Sequence, residues 1–365
     1  LSHNLRLLHA LVGDRPLWPC IKANAYGHGL VLVARHLAAV GHDTLCVAHA
    51  SEAVALRAAG IGTRLVLLSA SPSDASDAIL EHDLEPVVCG REALDSLSRS
   101  ARGAGREVAV HLKVDTGMGR IGVQPDAVAD LLGHAQGLDG VRVRGLMSHF
   151  PRADEADKSF SHRQVEAFGR VCSTTRDAGI EVRHMANSAA IFDLPDSHLD
   201  AARPGIAMYG LAPSRNIANP RVAELEPVLE WRSRITFLKE VPAGTGLSYG
   251  HTFHTERPSL VATFPVGYGD GLHRSLSNRM EVLVGGVRCR QVGTITMDQT
   301  LADVTALRGR VELGDPVVLI GRQGDETVTA DALAETLGTI NYEIVTAISA
   351  RVPRVASDPG SSDAE

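Results

Sequence analysis

Apolar residues recur along the first two thirds of the chain in two alternating patterns. Segments rich in Ala and Leu have the spacing of amphipathic helices, for example LVLVARHLAAV and PDAVADLLGHA. Short apolar runs, many of them β-branched, alternate with these segments and are typical of buried strands. The predicted strands lie at roughly 17–22, 44–48, 64–69, 84–89, 107–115, 141–148, 181–186 and 200–204.

This alternation predicts an α/β fold with a closed parallel sheet. Strands joined through helices pair in parallel, because each helix returns the chain to the same edge of the sheet. Eight such units are the number that forms a (β/α)8 barrel of the TIM type. An open doubly wound sheet is the alternative fold, but no GxGxxG sequence follows the first predicted strand.

The pattern changes after about residue 224, where β-type runs are separated by Gly, Pro and Asp. LEWRSRITFLKEV, SLVATFPV, RMEVLVGGVRCRQV and DPVVLIG predict strands, and only TADALAETLG and NYEIVTAI have helical spacing. We therefore predict a barrel over residues 1–224 and a mostly-β C-terminal domain over residues 225–365. The polar tail, about residues 356–365, is expected to be disordered.

The composition narrows the class of protein. Hydrophobic residues make up 44% of the 365 positions and charged residues 22%, which is typical of globular proteins. A formal net charge of −7 gives no general attraction for nucleic acid or an anionic membrane, so we expect neither as a partner.

Five scattered cysteines without a CxxC pair favour free thiols in the cytoplasm over disulfides or a metal site. No apolar stretch reaches the length of a membrane span. The chain begins at Leu1, so we expect its natural start to be missing.

The first predicted strand ends in an unusual lysine. A parallel barrel carries its functional residues at the carboxyl ends of its strands, and Lys22 in CIKANAYGHG follows an apolar run there. A buried ammonium without a partner is unfavourable. This lysine is therefore either paired with a neighbouring acid or has lost its charge, for example by forming a Schiff base with an aldehyde.

Polar residues follow four further predicted strands. Taken alone, each has a structural explanation, since a histidine can be a hydrogen-bonded core residue and an arginine can form an ion pair at the rim. Together they place cations, imidazoles and small polar residues at one end of the barrel, which predicts a single site. They are Lys113, Asp115 and Arg120 at the end of the fifth strand and in its exit loop, His149 directly after the sixth, His184, Asn187 and Ser188 at the end of the seventh and just beyond it, and Arg203 at the end of the eighth.

The loops after strands seven and eight commonly bind phosphate in such barrels. Ser188 offers a hydroxyl there, and Gly205 and Ile206 offer backbone N–H groups. These donors can hold a phosphate without a lysine.

Eight motifs, in order along the chain, resemble those of alanine racemases. They are CIKANAYGHG, HLKVDTGMGRIGV, HMANSAA, RPGIAMYG, LSYGHTF, FPVGYGDG, TMDQT and NYEIVTAISARVPR. The likeness extends from residue 3 to residue 354 and so covers nearly the whole chain. It implies a pyridoxal 5′-phosphate (PLP) enzyme of fold type III that acts on an amino acid as a homodimer with shared active sites.

The resemblance also implies a role for each matching residue. Lys22 would carry PLP and act as one catalytic base, and Tyr249 would reach the site from the partner subunit as the second base. Arg203 would face the pyridine nitrogen, and His149 would stabilise the tyrosine as a phenolate by hydrogen bonding and positive charge. The other implied roles are phosphate binding by Tyr26, Ser188, Gly205, Ile206 and Tyr342, substrate-carboxylate binding by Arg120 and Met297, and a carbamylated lysine at Lys113 that holds Arg120.

These residue types suit racemisation. The reaction removes the α-proton from one face and returns a proton to the other, which two bases on opposite faces achieve simply. A guanidinium such as that of Arg203 cannot accept a hydrogen bond, so the ring nitrogen beside it stays unprotonated. The resulting weaker electron sink disfavours transamination. The resemblance thus implies interconversion of L-alanine and D-alanine.

One position departs from the family pattern. Thr294 stands where many members carry an arginine of the corridor that leads to the site. The other corridor positions, Asp154, His184, Arg274 and Ile340, look retained. A racemase of broader specificity, acting on serine or other amino acids, is therefore an alternative.

Other classes of protein fit less well. A fold-type III decarboxylase would be expected to carry an acid in place of Arg203 and to lack a second base equivalent to Tyr249. A non-catalytic PLP-binding protein of this type is usually a barrel without the C-terminal β domain. A sugar- or phosphate-binding barrel predicts no aldehyde chemistry at Lys22.

Overall fold

A computed structural model of the chain describes residues 1–357. The chain divides into two compact units, the first over residues 1–226 and the second beginning at residue 227. Residues 358–365, which make up most of the tail predicted to be disordered, lie outside the described residues.

The first unit alternates strands and helices, as its hydrophobic pattern predicts. Its strands are β1 Thr44–Val47, β2 Arg64–Leu67, β3 Leu84–Val88, β4 Val108–Lys113, β5 Val141–Met147 and β6 Val182–His184. Its helical segments are α1 Ser2–Val12, α2 Lys22–Tyr26, α3 Leu30–Ala39, α4 Ala50–Ala58, α5 Ser76–Glu81, α6 Arg91–Ala104, α7 Val128–Gln136, α8 Ser159–Thr174 and α9 Ser188–Asp193, of which α2 is a left-handed turn and not an α-helix.

The six strands form one parallel sheet in sequence order. Two further extended segments close it into a ring, although each pairs only through single bridges. Residues 16–21 bridge to β1 at Cys20 and Cys46, and to residues 200–204 at Leu17 and Ala202, while Ala201 bridges to β6. Prolines at positions 16, 19 and 204 lack a backbone N–H, which explains why these two segments do not form full ladders. The predicted (β/α)8 barrel is therefore confirmed.

The second unit is mostly antiparallel β structure, also as predicted. Its strands are β7 Trp231–Arg234, β8 Phe237–Val241, β9 Gly246–Leu247, β10 Phe253–His254, β11 Ser259–Phe264, β12 Glu281–Val284, β13 Val287–Arg290, β14 Thr300–Asp303, β15 Pro316–Gln323 and β16 Glu326–Val328, and its helices are α10 Ala330–Leu337 and α11 Asn341–Ala347. Three strands form one sheet in the order β14, β11, β8, and five form another in which β13, β12, β15 and β16 follow one another and β7 pairs with β15.

Across residues 1–357, no helix has both the length and the apolar character that crossing a membrane requires.

Candidate active site

Lys22 begins a left-handed turn at the carboxyl end of the first extended segment. The four residues after it, at positions 23–26, have φ between 52° and 54°. Hydrogen bonds from the Ala25 N–H to the Ile21 carbonyl (2.8 Å) and from the Gly27 N–H to the Ala23 carbonyl (3.0 Å) close the turn. Left-handed helical residues other than glycine cost about 1–2 kcal/mol each. Such strain persists only where surrounding contacts enforce it, and it concentrates at functional sites.

One carboxylate from the first turn of α4 holds this turn. Glu52 accepts hydrogen bonds from the N–H groups of Ala23 (2.6 Å), Ala48 (2.8 Å) and His49 (3.2 Å). Because Ala23 follows Lys22 directly, Glu52 fixes the backbone that carries the lysine to the end of β1. The sequence pattern gave no sign of this role, since Glu52 reads there as an ordinary acidic residue near a helix start.

Replacing Glu52 with alanine is expected to lower the free energy of unfolding by about 2–4 kcal/mol, because three backbone N–H groups lose a charged acceptor. Denaturant unfolding of the purified protein measures this difference. Glu92 is the matched control, as an exposed glutamate in the first turn of α6. Its replacement by alanine is expected to change the free energy by less than about 0.5 kcal/mol. Equal effects of the two substitutions would contradict the role given to Glu52.

Arg203 lies in the barrel interior with only 2% of its surface exposed. Its Nη1 donates to Nδ1 of His184 at 2.6 Å, and its Nη2 donates to the carbonyl oxygens of Ser148 (2.9 Å) and Met185 (3.2 Å). No carboxylate forms an ion pair with it anywhere in the described part of the chain. Burial lowers the pKa of the guanidinium, but an arginine remains charged at any physiological pH.

His149 contacts Arg203 but is itself uncharged. Its Nδ1 accepts from Nη2 of Arg203 at 3.4 Å. Burial, followed by the charges of Lys113, Arg203, Lys22 and Arg120, holds the pKa of His149 well below its usual range. A lowered pKa favours the neutral form of this imidazole. Its Nε2–H can donate a hydrogen bond, while the positive charge beside it belongs to Arg203.

Lys113 is a buried amine at the end of β4, with 1% of its surface exposed. Burial, reinforced by the charges of Arg203 and Arg120, holds the pKa of Lys113 well below its usual range. Arg120 lies exposed on the glycine-rich loop that follows β4. Asp115 does not pair with it, because Oδ1 of Asp115 accepts from the loop N–H groups of Gly117 (2.9 Å) and Gly119 (3.1 Å).

Tyr26, Ser188 and Gly205 come together at the ends of the turn and of the last two βα loops. The Ser188 hydroxyl oxygen accepts from the N–H groups of Gly205 (2.8 Å) and Ala207 (3.3 Å). A Cβ on Gly205 would lie 2.4 Å from the Tyr26 hydroxyl oxygen, so only glycine allows this close approach. Ile206 begins a short 3-10 helix immediately after Gly205. The structure thus brings together four of the five residues predicted to hold a phosphate.

His184 has a different location from the one that the family pattern suggested. It is fully buried inside the barrel, between Arg203 and His111, rather than in an open corridor. Burial, followed by the charge of Arg203, holds the pKa of His184 well below its usual range. The imidazole is therefore neutral near pH 7.

The second unit presents Tyr249 on a strained loop, with 73% of its surface exposed. Ser248 and His251 on either side of it have φ of 60° and 44°. Thr294 donates from its hydroxyl to the Tyr249 carbonyl oxygen at 2.8 Å, and Ser248 donates to the Thr294 carbonyl oxygen at 2.6 Å. Thr294, which departs from the family pattern, therefore supports the backbone of the loop that carries the tyrosine.

Met297, with 52% of its surface exposed, lies on a second loop of this unit. Its carbonyl oxygen accepts from the Gly269 N–H at 2.9 Å. Arg351 joins the Met297 loop to the loop that carries Gly269, by ion pairs of 2.6 Å to Asp298 and 2.6 Å to Asp270. The FPVGYGDG, TMDQT and SARVPR segments thus form one structure, which fixes the backbone at Met297. Tyr342 lies partly exposed in α11.

The arrangement in the first unit suits an anionic ligand that carries a reactive carbonyl. Lys22, Lys113, Arg120 and Arg203 all act electrostatically on His149. These lysines and arginines would attract the phosphate and other oxyanions of a ligand. Hydroxyl and backbone N–H donors lie near Gly205, and a lysine lies on the strained turn. The residues present therefore fit PLP.

Known proteins resemble the chain along its whole length. The family model for the N-terminal domain of alanine racemase matches residues 1–213, and the model for the C-terminal domain matches residues 228–356. An alanine racemase of Halothermothrix orenii is 43% identical over 97% of this chain and 93% of its own length.

Solved structures of alanine racemases also resemble the chain over nearly its whole length. An alanine racemase from D-cycloserine-producing Streptomyces lavendulae is 40% identical, with a TM-score of 0.90 over 97% of this chain and 93% of its own. The Bacillus anthracis enzyme, solved with bound L-Ala-P, is 36% identical, with a TM-score of 0.91 over 98% of this chain and 94% of its own.

Proposed function

The chain belongs to the alanine racemase family, and we propose that it interconverts L-alanine and D-alanine with bound PLP by a two-base mechanism. One observation carries this proposal. A lysine on a strained turn and the buried basic residues Lys113 and Arg203 share one end of the barrel, and no carboxylate pairs with either buried residue in the described part of the chain. Alanine racemases depend on PLP.

Lys22 would hold the cofactor through its amine. Tyr26, Ser188, Gly205 and Ile206 would bind the phosphate, joined by Tyr342. When bound, PLP supplies an aldehyde that bonds to an amine and a conjugated ring that stabilises negative charge at the substrate α-carbon.

Two side chains would move the protons. Lys22 would take or return a proton on one face of the α-carbon, and Tyr249 would do so on the other. His149 supports the second role, since its Nδ1 accepts from Arg203 and its Nε2–H is left to donate to a phenolate oxygen. The charge of Arg203 favours the deprotonated tyrosine further.

Arg203 would face the ring nitrogen of the cofactor. Its guanidinium only donates hydrogen bonds, so it keeps that nitrogen unprotonated. The hydrogen bonds of Arg203 to His184, Ser148 and Met185 support this role. Their acceptors are an imidazole nitrogen and two backbone carbonyl oxygens, and together they hold the side chain in one place.

The substrate carboxylate would bind to Arg120 and to the backbone N–H of Met297. We also propose that Lys113 reacts with carbon dioxide, so that its Nζ forms an N–C bond and releases a proton, leaving a carbamate anion. Support comes from burial and from neighbouring cations, which keep the amine neutral and therefore nucleophilic. The carbamate would offset the charges of Arg203 and Arg120.

The functional form would be a homodimer in which Tyr249 and Met297 complete the partner's site. Their exposure on the second unit supports this, since 73% and 52% of their surfaces are free in a single chain. We place the enzyme in the cytoplasm, because all five cysteines are free, which suits a reducing compartment.

Chiral analysis of the product tests the proposed activity. Incubated with pure L-alanine, the PLP-loaded protein is expected to form D-alanine until the two enantiomers are equal in amount. Serine is expected to react as well, but more slowly. A small pocket disfavours the added hydroxyl, yet the difference in binding free energy is only about 1–3 kcal/mol. Release of an amine and carbon dioxide would identify a decarboxylase, and no reaction would identify a non-catalytic PLP-binding protein.

A further inference from the structure

A chain of hydrogen bonds runs through the barrel interior from Arg203 to the opposite end. Nη1 of Arg203 contacts Nδ1 of His184 at 2.6 Å, and Nε2 of His184 contacts Nδ1 of His111 at 3.0 Å. Nε2 of His111 then contacts Oε2 of Glu85 at 3.0 Å. Glu85 is the second residue of β3, so it lies near the amino ends of the strands, whereas Arg203 follows the last strand. We call these four residues the relay.

The two ends of the relay fix where its protons are. A guanidinium can only donate, so Nδ1 of His184 must be the acceptor and the proton of this neutral imidazole must lie on Nε2. That proton is donated to Nδ1 of His111, whose own proton therefore also lies on Nε2. A carboxylate can only accept, and Glu85 accepts this last proton.

Both imidazoles are built to stay neutral and in place. His111 and His184 are fully buried, and burial lowers the pKa of each. A second proton on either ring would set two donors against each other. Trp18 packs against both rings, with centroids 5.9 Å from His111 and 4.9 Å from His184. A Cβ on Gly145 would lie 2.1 Å from Nδ1 of His111, so glycine makes room for this ring.

Glu85 is itself anchored by two arginines. Arg144 donates to both of its oxygens, at 2.8 and 2.7 Å, and Arg64 lies 2.9 Å from Oε1. Burial alone would raise the pKa of the Glu85 carboxyl. The hydrogen bond from His111 and the charge of Arg144 outweigh this effect and hold that pKa below its usual range. Without the carboxylate, the charges of Arg144 and Arg64 would favour a lone pair on Nε2 of His111. This preference would oppose the one that Arg203 sets at the other end, and we expect it to reverse both tautomers.

We propose that Glu85 is a positioning residue for Arg203, acting through the tautomers of His111 and His184. A reversed relay would place an N–H of His184 against the N–H of Arg203 and push the guanidinium out of its place. The consequence for catalysis rests on the proposed function, in which Arg203 faces the ring nitrogen of the cofactor. The tautomers themselves depend only on this chain.

Nitrogen NMR of the apoprotein, labelled with ¹⁵N-histidine, reads the relay directly. His111→Asn and His184→Asn variants assign the two rings. In the unsubstituted protein both rings are expected to be neutral with the proton on Nε2. A proton on Nδ1 of either ring would overturn the proposal without any variant of Glu85.

Variants of Glu85 test the mechanism. Glu85→Leu is expected to move the His184 proton from Nε2 to Nδ1, and Glu85→Gln, which keeps an acceptor oxygen, is expected to leave it on Nε2. In the holoenzyme we expect Glu85→Leu to lower kcat on the order of 10²-fold with little change in KM, since a displacement of about 1 Å has such effects. Glu85→Gln is expected to lower kcat only about fivefold, because a neutral hydrogen bond replaces a charged one.

Glu181 provides the matched control, since it also contacts Arg144, at 3.0 Å, but not the histidines. Glu181→Leu is expected to leave both tautomers and kcat unchanged. The proposal fails if Glu85→Leu also keeps the His184 proton on Nε2, or if Glu181→Leu reproduces its effects. If the tautomers respond as expected but the unsubstituted holoenzyme does not racemise alanine, the proposed function fails and the relay stands.

Discussion

Replacing Lys22 with alanine is expected to lower the rate of alanine racemisation by at least about 10⁴-fold, the upper range for loss of one acid–base group. The effect should be this large because the same amine is both the attachment point for the cofactor and one of the two bases. Racemisation of L-alanine, followed by chiral analysis at saturating PLP, measures the loss.

The chain offers a simple control, because it has only four lysines, at positions 22, 113, 158 and 239. Lys158 forms an ion pair of 2.8 Å with Asp193, and its replacement by alanine is expected to leave PLP attachment intact. Reduction of the holoenzyme with borohydride followed by peptide mass analysis should find the pyridoxyl group on Lys22. Its recovery on another lysine, or full activity of Lys22→Ala, would contradict the assignment.

Replacing Tyr249 with phenylalanine is expected to lower proton transfer on one face of the α-carbon by about 10²–10⁴-fold. The fold should not change, because the tyrosine side chain is 73% exposed and its loop is held through backbone contacts with Thr294. Exchange of the α-proton from each enantiomer separately, in deuterated water, measures the two faces. Equal and mild losses for both enantiomers would contradict a two-base mechanism.

A mixed dimer tests whether the site is shared between subunits. One chain carries Lys22→Ala and the other carries Tyr249→Phe, with different tags for purification of the mixed species. If each site combines Lys22 of one chain with the tyrosine of the other, one of the two sites is intact and about half of the normal activity returns. A mixed dimer as inactive as the two parent variants would place both residues of a site in one chain.

The hydrophobic pattern predicted the barrel well, since parallel strands buried on both faces leave a strong apolar signal. It overestimated the first and last strands, because prolines 16, 19 and 204 reduce them to single bridges. It could not reveal the left-handed turn after Lys22. Residues 23–26 include no glycine, and their φ values depend on a contact with Glu52 that is distant in sequence.

The cationic residues at the strand ends were predictable one by one, but their electrostatics were not. The lowered pKa of His149 follows from burial and from two lysines and two arginines, which only the folded chain brings together. The relay was hidden for the same reason, since its hydrogen bonds join residues of β3, β4 and β6 that are far apart in the sequence. The sequence shows Thr294 as a departure from a family pattern, while its hydrogen bond to the Tyr249 carbonyl oxygen is visible only in the folded chain.

Isotope incorporation during the first turnovers tests the central claim most directly, that Lys22 and a tyrosine on the opposite face together racemise alanine. The holoenzyme is given protiated L-alanine in deuterated water, and the D-alanine formed is analysed before the reverse reaction contributes. Two bases predict that this D-alanine carries deuterium at its α-carbon, because the returned proton comes from a group that has exchanged with solvent. D-Alanine that retains the original proton would indicate a single base, and a failure to form D-alanine would contradict the account as a whole.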